Sequence, residues 1–414
     1  MKKTLFLLFT LYTCLSFSQE EYALMFYNLL DFPEAPPSNR NAILKDILVE
    51  IEPDIFMVCE LQNATAADLI LSDVLNEMGE TTYAMPNFVI NTSSGFQDLQ
   101  QHLYYDESKF SLLSTDIIET QLRDINYYQL EALQNEEATP LILDIFVAHL
   151  KAAQGQSNEL IRSEMVTDFT NYLANLPDDA NVIFAGDFNF YTANESAFLQ
   201  LVMGQSNILF SDPINQVGDW NNNTNFSHVH TQSTRTSNNN FDDYGAGGGL
   251  DDRFDFIMLS NNIMDENNSI AYKENSYIAY GNNGNCFNKN ISDTSCNGIF
   301  SQSTRNLLYN MSDHLPVVLK LENNNTSLSA ANWSSSELLS FPNGNLVHNQ
   351  LHLEFHTSIS EKTEILIFDS LGKQLLSVKT NSSIAVIDVS NFSKGVYFIK
   401  IPGYTKTYPF VVAF

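Results

Sequence analysis

A chain of 414 residues exceeds one ordinary compact domain and suffices for a large domain joined to a small one. Its 49 acidic and 20 basic residues give a formal net charge of −29, which argues against a nucleic-acid binder that works through a basic groove. A metal-dependent enzyme acting on phosphates stays open, because a bound divalent cation can be the largest local charge, and much of the acidity is what a solubilising surface carries.

Residues 1–18 hold Lys2 and Lys3, an apolar run to Phe17, and the small residues Ser16 and Ser18, the pattern of a signal peptide cleaved before Gln19. The run is short for a membrane anchor and no later segment approaches ~20 apolar residues, so no stable membrane span is expected. Thr13 before Cys14 speaks against a lipoprotein, where a smaller residue is expected. The chain is therefore expected to be secreted or held at the cell surface, by way of the periplasm, in a compartment that permits disulfides. Cys59, within "DIFMVCEL", reads as a buried small hydrophobe. Cys286 and Cys296 are expected to staple the loop "GNCFNKNISDTSCNG".

From residue 22 to about 321 the sequence alternates strand-like and helix-like segments. "YALMFYNLL", "DIFMVCEL", "LILDIFVAHL", "NVIFAGDF", "FDFIMLS" and "HLPVVLKL" are short, apolar and bounded by turn formers, as strands are. "NRNAILKDILVEI", "ADLILSDVLNEM" and "NELIRSEMVTDFTNYLANL" carry apolar residues at three- and four-residue spacing, as amphipathic helices do. An α/β fold follows, and "HLYYDESKFSLLST" reads as a hairpin that makes its sheet mixed. The polar stretch from Gln216 to Gly249 is too long for a plain connection and is either a functional loop or mobile. Residues 323–340 read as a polar linker, and residues 341–414 contain short alternating segments such as "LHLEF", "EILIFDS" and "GVYFIKI", the pattern of a small β-sandwich. His348, His352 and His356 within it have no acidic or cysteine companion and read as surface histidines.

Several apolar runs end in a polar residue. Asn28 closes "ALMFYN", Glu60 closes "DIFMVCE", His149 closes "LILDIFVAH", and "NVIFAGDFNFY" breaks at Asp187 and Asn189. On a strand those last two share a face while Phe188 turns into the core. Asp255 sits between Phe254 and Phe256, and Asp313 and His314 precede the last strand. Each alone has an ordinary explanation as a cap, a surface acid, a core histidine or a turn residue. Together they are costly unless paired. Glu60 and Asp313 are hard oxygen ligands of the kind that hold Mg²⁺. His149, Asn189 and His314 can donate to phosphate oxygens, Asp255 can orient a histidine, and Asp187 can position or deprotonate a water. Asp313 and His314, adjacent in sequence, must lie in an irregular entry to their strand if both serve one site.

This ordered set, with "CELQN", "AHLKA", "GDFN", "RFDFI" and "SDHLPV", resembles the endonuclease/exonuclease/phosphatase superfamily, deoxyribonuclease-like members included, over residues 19–322. The resemblance implies a four-layer α/β sandwich with two packed mixed β-sheets and Mg²⁺-dependent (or Mn²⁺- or Ca²⁺-dependent) phosphoester hydrolysis. Carried over, Asn28, Glu60 and Asp313 bind metal, Asn28 more indirectly, and His149 and Asn189 contact the phosphate. Asp187 serves the attacking water and His314 pairs with Asp255, with the choice of base between Asp187 and His314 open. The strand "DLQQHLYYD" lacks the glutamate that deoxyribonuclease-like members pair with the histidine of "AHLKA". Phe190 and Tyr191 replace the Tyr-Arg pair that follows "GDFN" in inositol phosphatases, and no aromatic loop suggests a sphingomyelinase. Arg235 and Arg253 are among the few bases near the site.

The C-terminal module, with "DSLGK" and "GVYFIKI", resembles the type IX secretion sorting domain of the Bacteroidetes and implies that secretion machinery as a partner. An adhesive β-sandwich is the alternative. The reading is a secreted, monomeric phosphodiesterase acting on a phosphodiester substrate, nucleic acid foremost. A phosphomonoesterase or phospholipase on the same scaffold, and a non-catalytic binding module, are the alternatives.

Overall fold

The computed structural model describes residues 20–93, 99–133, 140–324, 339–342, 344–355, 363–370, 372–402 and 407–413. The expected signal peptide, His356 and linker residues 325–338 lie outside them. The chain divides into two units, Met1–Ser327 and Leu328–Phe414.

In the first unit, strands numbered in chain order form two sheets. One sheet runs β11 (Ile270–Tyr272), β13 (Val317–Asn323), β1 (Glu20–Phe32), β2 (Ile55–Leu61), β4 (Gln100–Asp106) and β3 (Tyr83–Ala84), with β12 (Ile278–Ala279) also on β13. The other runs β5 (Phe110–Ile118), β6 (Ile125–Ala132), β7 (Leu141–His149), β8 (Val182–Asp187), β10 (Asp255–Ser260) and β9 (Phe210–Ser211). Each sheet contains one parallel pair, β1 with β2 and β7 with β8, and is otherwise antiparallel. A parallel pair needs a crossover, supplied here by helices α1 (Arg40–Ile51) and α3 (Gln156–Tyr172).

Alternation along the central strands builds three buried layers. Leu24 and Phe26 of β1 meet Ile145 and Val147 of β7 between the sheets. Met25 and Tyr27 point the other way, toward Leu44 and Leu48 of α1 and Met311 of α5 (Gln302–Met311). Phe146 and Ala148 face Met165 and Phe169 of α3, in a layer shared with Phe198 of α4 (Ser196–Met203). The result is a four-layer α/β sandwich, and its central strands read as continuous apolar runs because both faces are buried.

The expected hairpin at "HLYYDESKFSLLST" is not one. β4 belongs to the first sheet and β5 to the second, so the turn between them carries the chain across the sandwich. Asp106 caps that turn through Ser108 N at 2.8 Å, and Lys109 reaches back to Asp54 at 2.5 Å. The turn residues specify a reversal but not the sheet that receives the next strand. Both sheets are nevertheless mixed, as expected.

Cys286 and Cys296 are bridged, with Cα atoms 5.2 Å apart, and Cys59 is buried and free. The second unit pairs a three-stranded with a five-stranded sheet over a core that includes Leu351, Ile367, Ile399 and Phe410. His348 is exposed there and His352 half-buried. Among the described residues no helix is long and apolar enough to cross a membrane.

His102 of β4 is fully buried among Phe88, Tyr104 and Tyr128, and neither ring nitrogen has a hydrogen-bond partner among the described residues. Burial pushes its pKa down to about 3 from 6.5. Between those values the unfolded ring takes up a proton that the folded ring refuses. Stability present above the unfolded pKa is therefore lost as pH falls, at about 1.4 kcal/mol per pH unit. His102→Phe should flatten the fall in urea-measured stability between about pH 6 and pH 4 by that slope relative to wild type. Equal slopes in the two proteins would mean that the folded ring accepts the proton.

Candidate active site

The two parallel pairs end at the same rim of the sandwich. Asn28 and Glu60 lie at the carboxyl ends of β1 and β2, His149 and Asp187 at those of β7 and β8. Antiparallel β10 begins at that rim, with Asp255 directly opposite Asp187 in register. Asp313 and His314 precede β13 outside regular strand geometry, as their adjacency requires. Of these, Glu60, His149, Asp187, Asp313 and His314 border a cavity of about 450 Å³ that Arg123, Tyr191, Phe254, Gln232, Gly245 and Ala246 also line, while Asn28 and Asp255 hold Glu60 and His314 from outside it.

Asn28 is the hub. Its Nδ2 donates to Glu60 Oε1 at 2.8 Å and to Asp187 Oδ2 at 3.1 Å, and lies 3.4 Å from His314 Nε2. So it steers carboxylates rather than facing the cavity as a ligand. Glu60 Oε2 accepts from Asp31 N at 3.1 Å, and Glu60 itself has φ +60°, a left-handed kink where β2 shifts register against both neighbouring strands before Leu61 pairs again. His314 Nδ1 lies 2.7 Å from Asp255 Oδ2, so the expected acid and imidazole meet. His149 Nε2 is 3.5 Å from Asp187 Oδ2 and 3.9 Å from Glu60 Oε1.

Asp187 and Asn189 converge, but not by strand alternation. β8 stops at Asp187, and Asn189 is left-handed at φ +53°, which folds its amide back to donate to Asp187 Oδ1 at 2.8 Å. Asparagine tolerates that conformation better than most residues. Phe188 does enter the core, stacked between Phe184 and Phe256. Phe190 joins it beside Phe198, while Tyr191 stays at the cavity, edge-on to Phe254 at 4.9 Å. Gly186 has no alternative here, since a Cβ would sit 2.2 Å from Ala148 O on the neighbouring strand.

Burial sets the electrostatics, with the crowding of acids added to it. Glu60 is pushed up to about 7 by burial and then by Asp313 and Asp31. Asp187 is also raised, by burial and by Asp255 and Glu60, against His314. Burial opposes the charged form of His314, yet Asp255, Asp313 and Asp187 outweigh it and hold the ring well above its ordinary pKa. His149 is driven the other way by burial, Arg123 and His314.

Ligand atoms of Glu60, His149 and Asp187 lie within 4.8 Å of one another, and so do those of Asp187, Asp255 and His314. These tight groups centre on Asp187. Asp313 stands outside both, though it borders the same cavity and acts on Glu60. The donor set fits a hard divalent cation: Asp313 Oδ1 is buried with no partner among the described residues, and raised carboxylates await positive charge.

Arg235 and Arg253 do not serve the cavity. Arg253 is spent on Asp212, both bonds at 2.8 Å, over the ring of Phe256, and Arg235 stacks on Phe241 with Nε on Tyr309 O. The base beside the site is Arg123, pinned to His149 O at 2.8 Å and Leu150 O at 2.6 Å. Gln232 was missed as well. It stands in the long polar stretch from Gln216 to Gly249, whose length was the one signal that it does more than connect.

Residues 341–409 match the family described as secretion system C-terminal sorting domain. Among curated proteins no sequence matches significantly. Solved structures similar to the chain include D. rerio TDP2 complexed with single-strand DNA product, at 16% identity and TM-score 0.48, covering 73% of this chain and 99% of that one. The human Nocturnin catalytic domain with bound sulfate is similar at 16% identity and TM-score 0.46, covering 73% and 94%. An endonuclease/exonuclease/phosphatase from Bacteroides vulgatus is similar at 14% identity and TM-score 0.47, covering 74% and 100%. The chain thus carries a secretion system C-terminal sorting domain over residues 341–409, and is similar in structure to endonuclease/exonuclease/phosphatase proteins.

Proposed function

We propose that the chain is an exported, divalent-metal-dependent phosphodiesterase whose substrate is nucleic acid, sorted by type IX secretion machinery through its C-terminal unit. The observation that carries the reading is one cavity in which Glu60, Asp187 and Asp313 face His149 and an Asp255-oriented His314. Glu60 and Asp313 would hold Mg²⁺ or Mn²⁺, with Asn28 fixing Glu60. The cation would neutralise charge on a phosphoryl oxygen.

The side chains divide the remaining work. Asp187 has Oδ1 held by Asn189 and Oδ2 by Asn28, an orientation that aims it at a water for deprotonation. His314, oriented through Nδ1 by Asp255, returns a proton to the leaving oxygen. His149, backed by the Arg123 guanidinium on its own carbonyl, presents its ring to the phosphate.

The purified chain with Mg²⁺ or Mn²⁺ should cleave plasmid DNA or RNA and bis-p-nitrophenyl phosphate. His314→Ala should lower kcat by about 10²- to 10⁴-fold. Turnover of p-nitrophenyl phosphate alone would overturn the diesterase reading, and turnover of nothing, with wild type equal to the variant, would overturn the enzyme.

A cation must displace the proton that Glu60 keeps up to about 7 in the folded chain. Without metal, the stability this raised group contributes is complete below its unfolded pKa and is lost as pH rises through about 7. Metal restores it only where the proton has gone. Mg²⁺ should therefore raise Tm more at about pH 8 than at about pH 6, and Glu60→Gln should abolish the difference. Equal gains at both pH values in the wild type would remove Glu60 from the metal site.

A further inference from the structure

Gln232 is held more firmly than a loop residue needs to be. Its N donates to Asp252 O at 3.0 Å, and its O accepts from Asp251 N and Asp252 N at 2.9 and 2.8 Å. On its other side it bridges to His314, flanked by Leu315 N on Thr231 O and Thr234 N on Asp313 O, both 2.8 Å. A short strand-like piece of the long polar segment is thus laid between the entry to β10 and the entry to β13. From it the Gln232 side chain projects into the cavity.

Its amide Nε2 donates to Asp313 Oδ2 at 3.0 Å and lies 2.7 Å from His314 Nε2. Neighbouring residues of an extended chain point apart, yet Asp313 and His314 must work on one phosphate. The same amide nitrogen spans both, donating to His314 only while Nε2 carries no proton, as after the ring has given its proton to the leaving oxygen, and the second bond on Asp313 Oδ2 comes from Ala246 N at 2.7 Å, in the same polar segment. That approach requires Gly245, at φ +79°, where a Cβ would sit 2.9 Å from Asp313 Cγ. With Oδ2 doubly occupied, the free Oδ1 is the atom left to face a ligand.

We propose that Gln232 is a positioning residue that ties Asp313 to His314, so that adjacent side chains of opposite tendency act as one unit. The proposal rests on the phosphodiesterase reading for its kinetic consequence, though not for the bridge itself. It gives the segment from Gln216 to Gly249 a specific task, the delivery of one amide to two reacting groups.

The test uses the full chain with Gln232→Met, which keeps bulk without donors, and Gln232→Glu, which keeps shape and sets a carboxylate against Asp313. Both should lower kcat on bis-p-nitrophenyl phosphate with Mn²⁺ by about 10- to 100-fold, with KM within about threefold and Tm little changed. Glu should be at least as damaging as Met. In selectively ¹⁵N-histidine-labelled protein without metal, the His314 Nε2 resonance, assigned by its loss in His314→Ala, should shift in both variants. Wild-type kcat and an unmoved resonance in Gln232→Glu would overturn the proposal and leave the phosphodiesterase reading intact. A large fall in Tm with kcat and KM both impaired would mark Gln232 as packing and overturn it too. If the wild type turns over no substrate, the enzyme reading fails, and the resonance alone decides for or against the bridge.

Discussion

Carboxylates crowded into one half-closed cavity are the constraint around which the rest of the first unit is arranged. Glu60, Asp187 and Asp313 meet at one rim with Asp255 held against His314, and the rise of Glu60 to about 7, through burial first and then Asp313 and Asp31, corresponds to on the order of 3 kcal/mol against its ionised form. Such a cluster persists only if its oxygens are held by donors that cannot turn away. The holders are Asn28, Asn189, Gln232 and the backbone of Asp31 and Ala246. Those donors come from β1, from the turn that follows β8 and from the polar segment, so the cluster is braced from both sheets and from the polar segment at once. The fold, in this sense, is what lets repelling groups share a small volume.

Two sheets are needed because one cannot supply the geometry. A parallel pair opens a crevice at its carboxyl end, the usual place for a ligand in α/β proteins. Here two such pairs end at the same rim. β1 and β2 bring an amide and an acid, β7 and β8 an imidazole and an acid, and Asn28 links the two sheets by donating to Asp187. The inter-sheet core of Leu24, Phe26, Ile145 and Val147 holds that alignment. Displacing one sheet by a single strand spacing, ~4.8 Å, would separate Asn28 from Asp187 beyond hydrogen-bond reach.

The parts legible in the sequence were those that a strand's own end dictates. Glu60, His149 and Asp187 each terminate an apolar run, and a polar group there must have a partner. Asp255 with His314 was legible as a pair of types, and the structure brings them to 2.7 Å. What was not legible depends on connections whose course no local pattern sets. The turn after Asp106 crosses between sheets, and Asn189 reaches Asp187 through a left-handed backbone rather than through alternation. Gln232 and Arg123 are ordinary polar residues in sequence and gain their places only from contacts far along the chain. Phe190, which had stood out as a departure at a substrate-reading position, proves to be core, and Tyr191 alone reaches the cavity.

Positive charge is distributed in a way that bears on how an acidic protein meets a phosphate. Arg40, Arg123, Arg162, Arg235, Arg253 and Arg305, every arginine of the chain, are buried. Arg162 is spent on Glu195 and Arg253 on Asp212, while Arg40 and Arg305 tie down backbone carbonyls. Guanidinium groups serve this use well, being forked donors that stay charged when desolvated. Positive charge at the surface is thus left to lysine, in a sequence with 49 acids against 20 bases. Long-range attraction of a polyanion is therefore weak or reversed. On the proposed reading, recognition of a phosphate would have to come at short range, from Arg123, His149, Asn189 and whatever cation the carboxylates would hold, so the cavity that pays the electrostatic cost of crowding would also be the place where a phosphate finds its counter-charge.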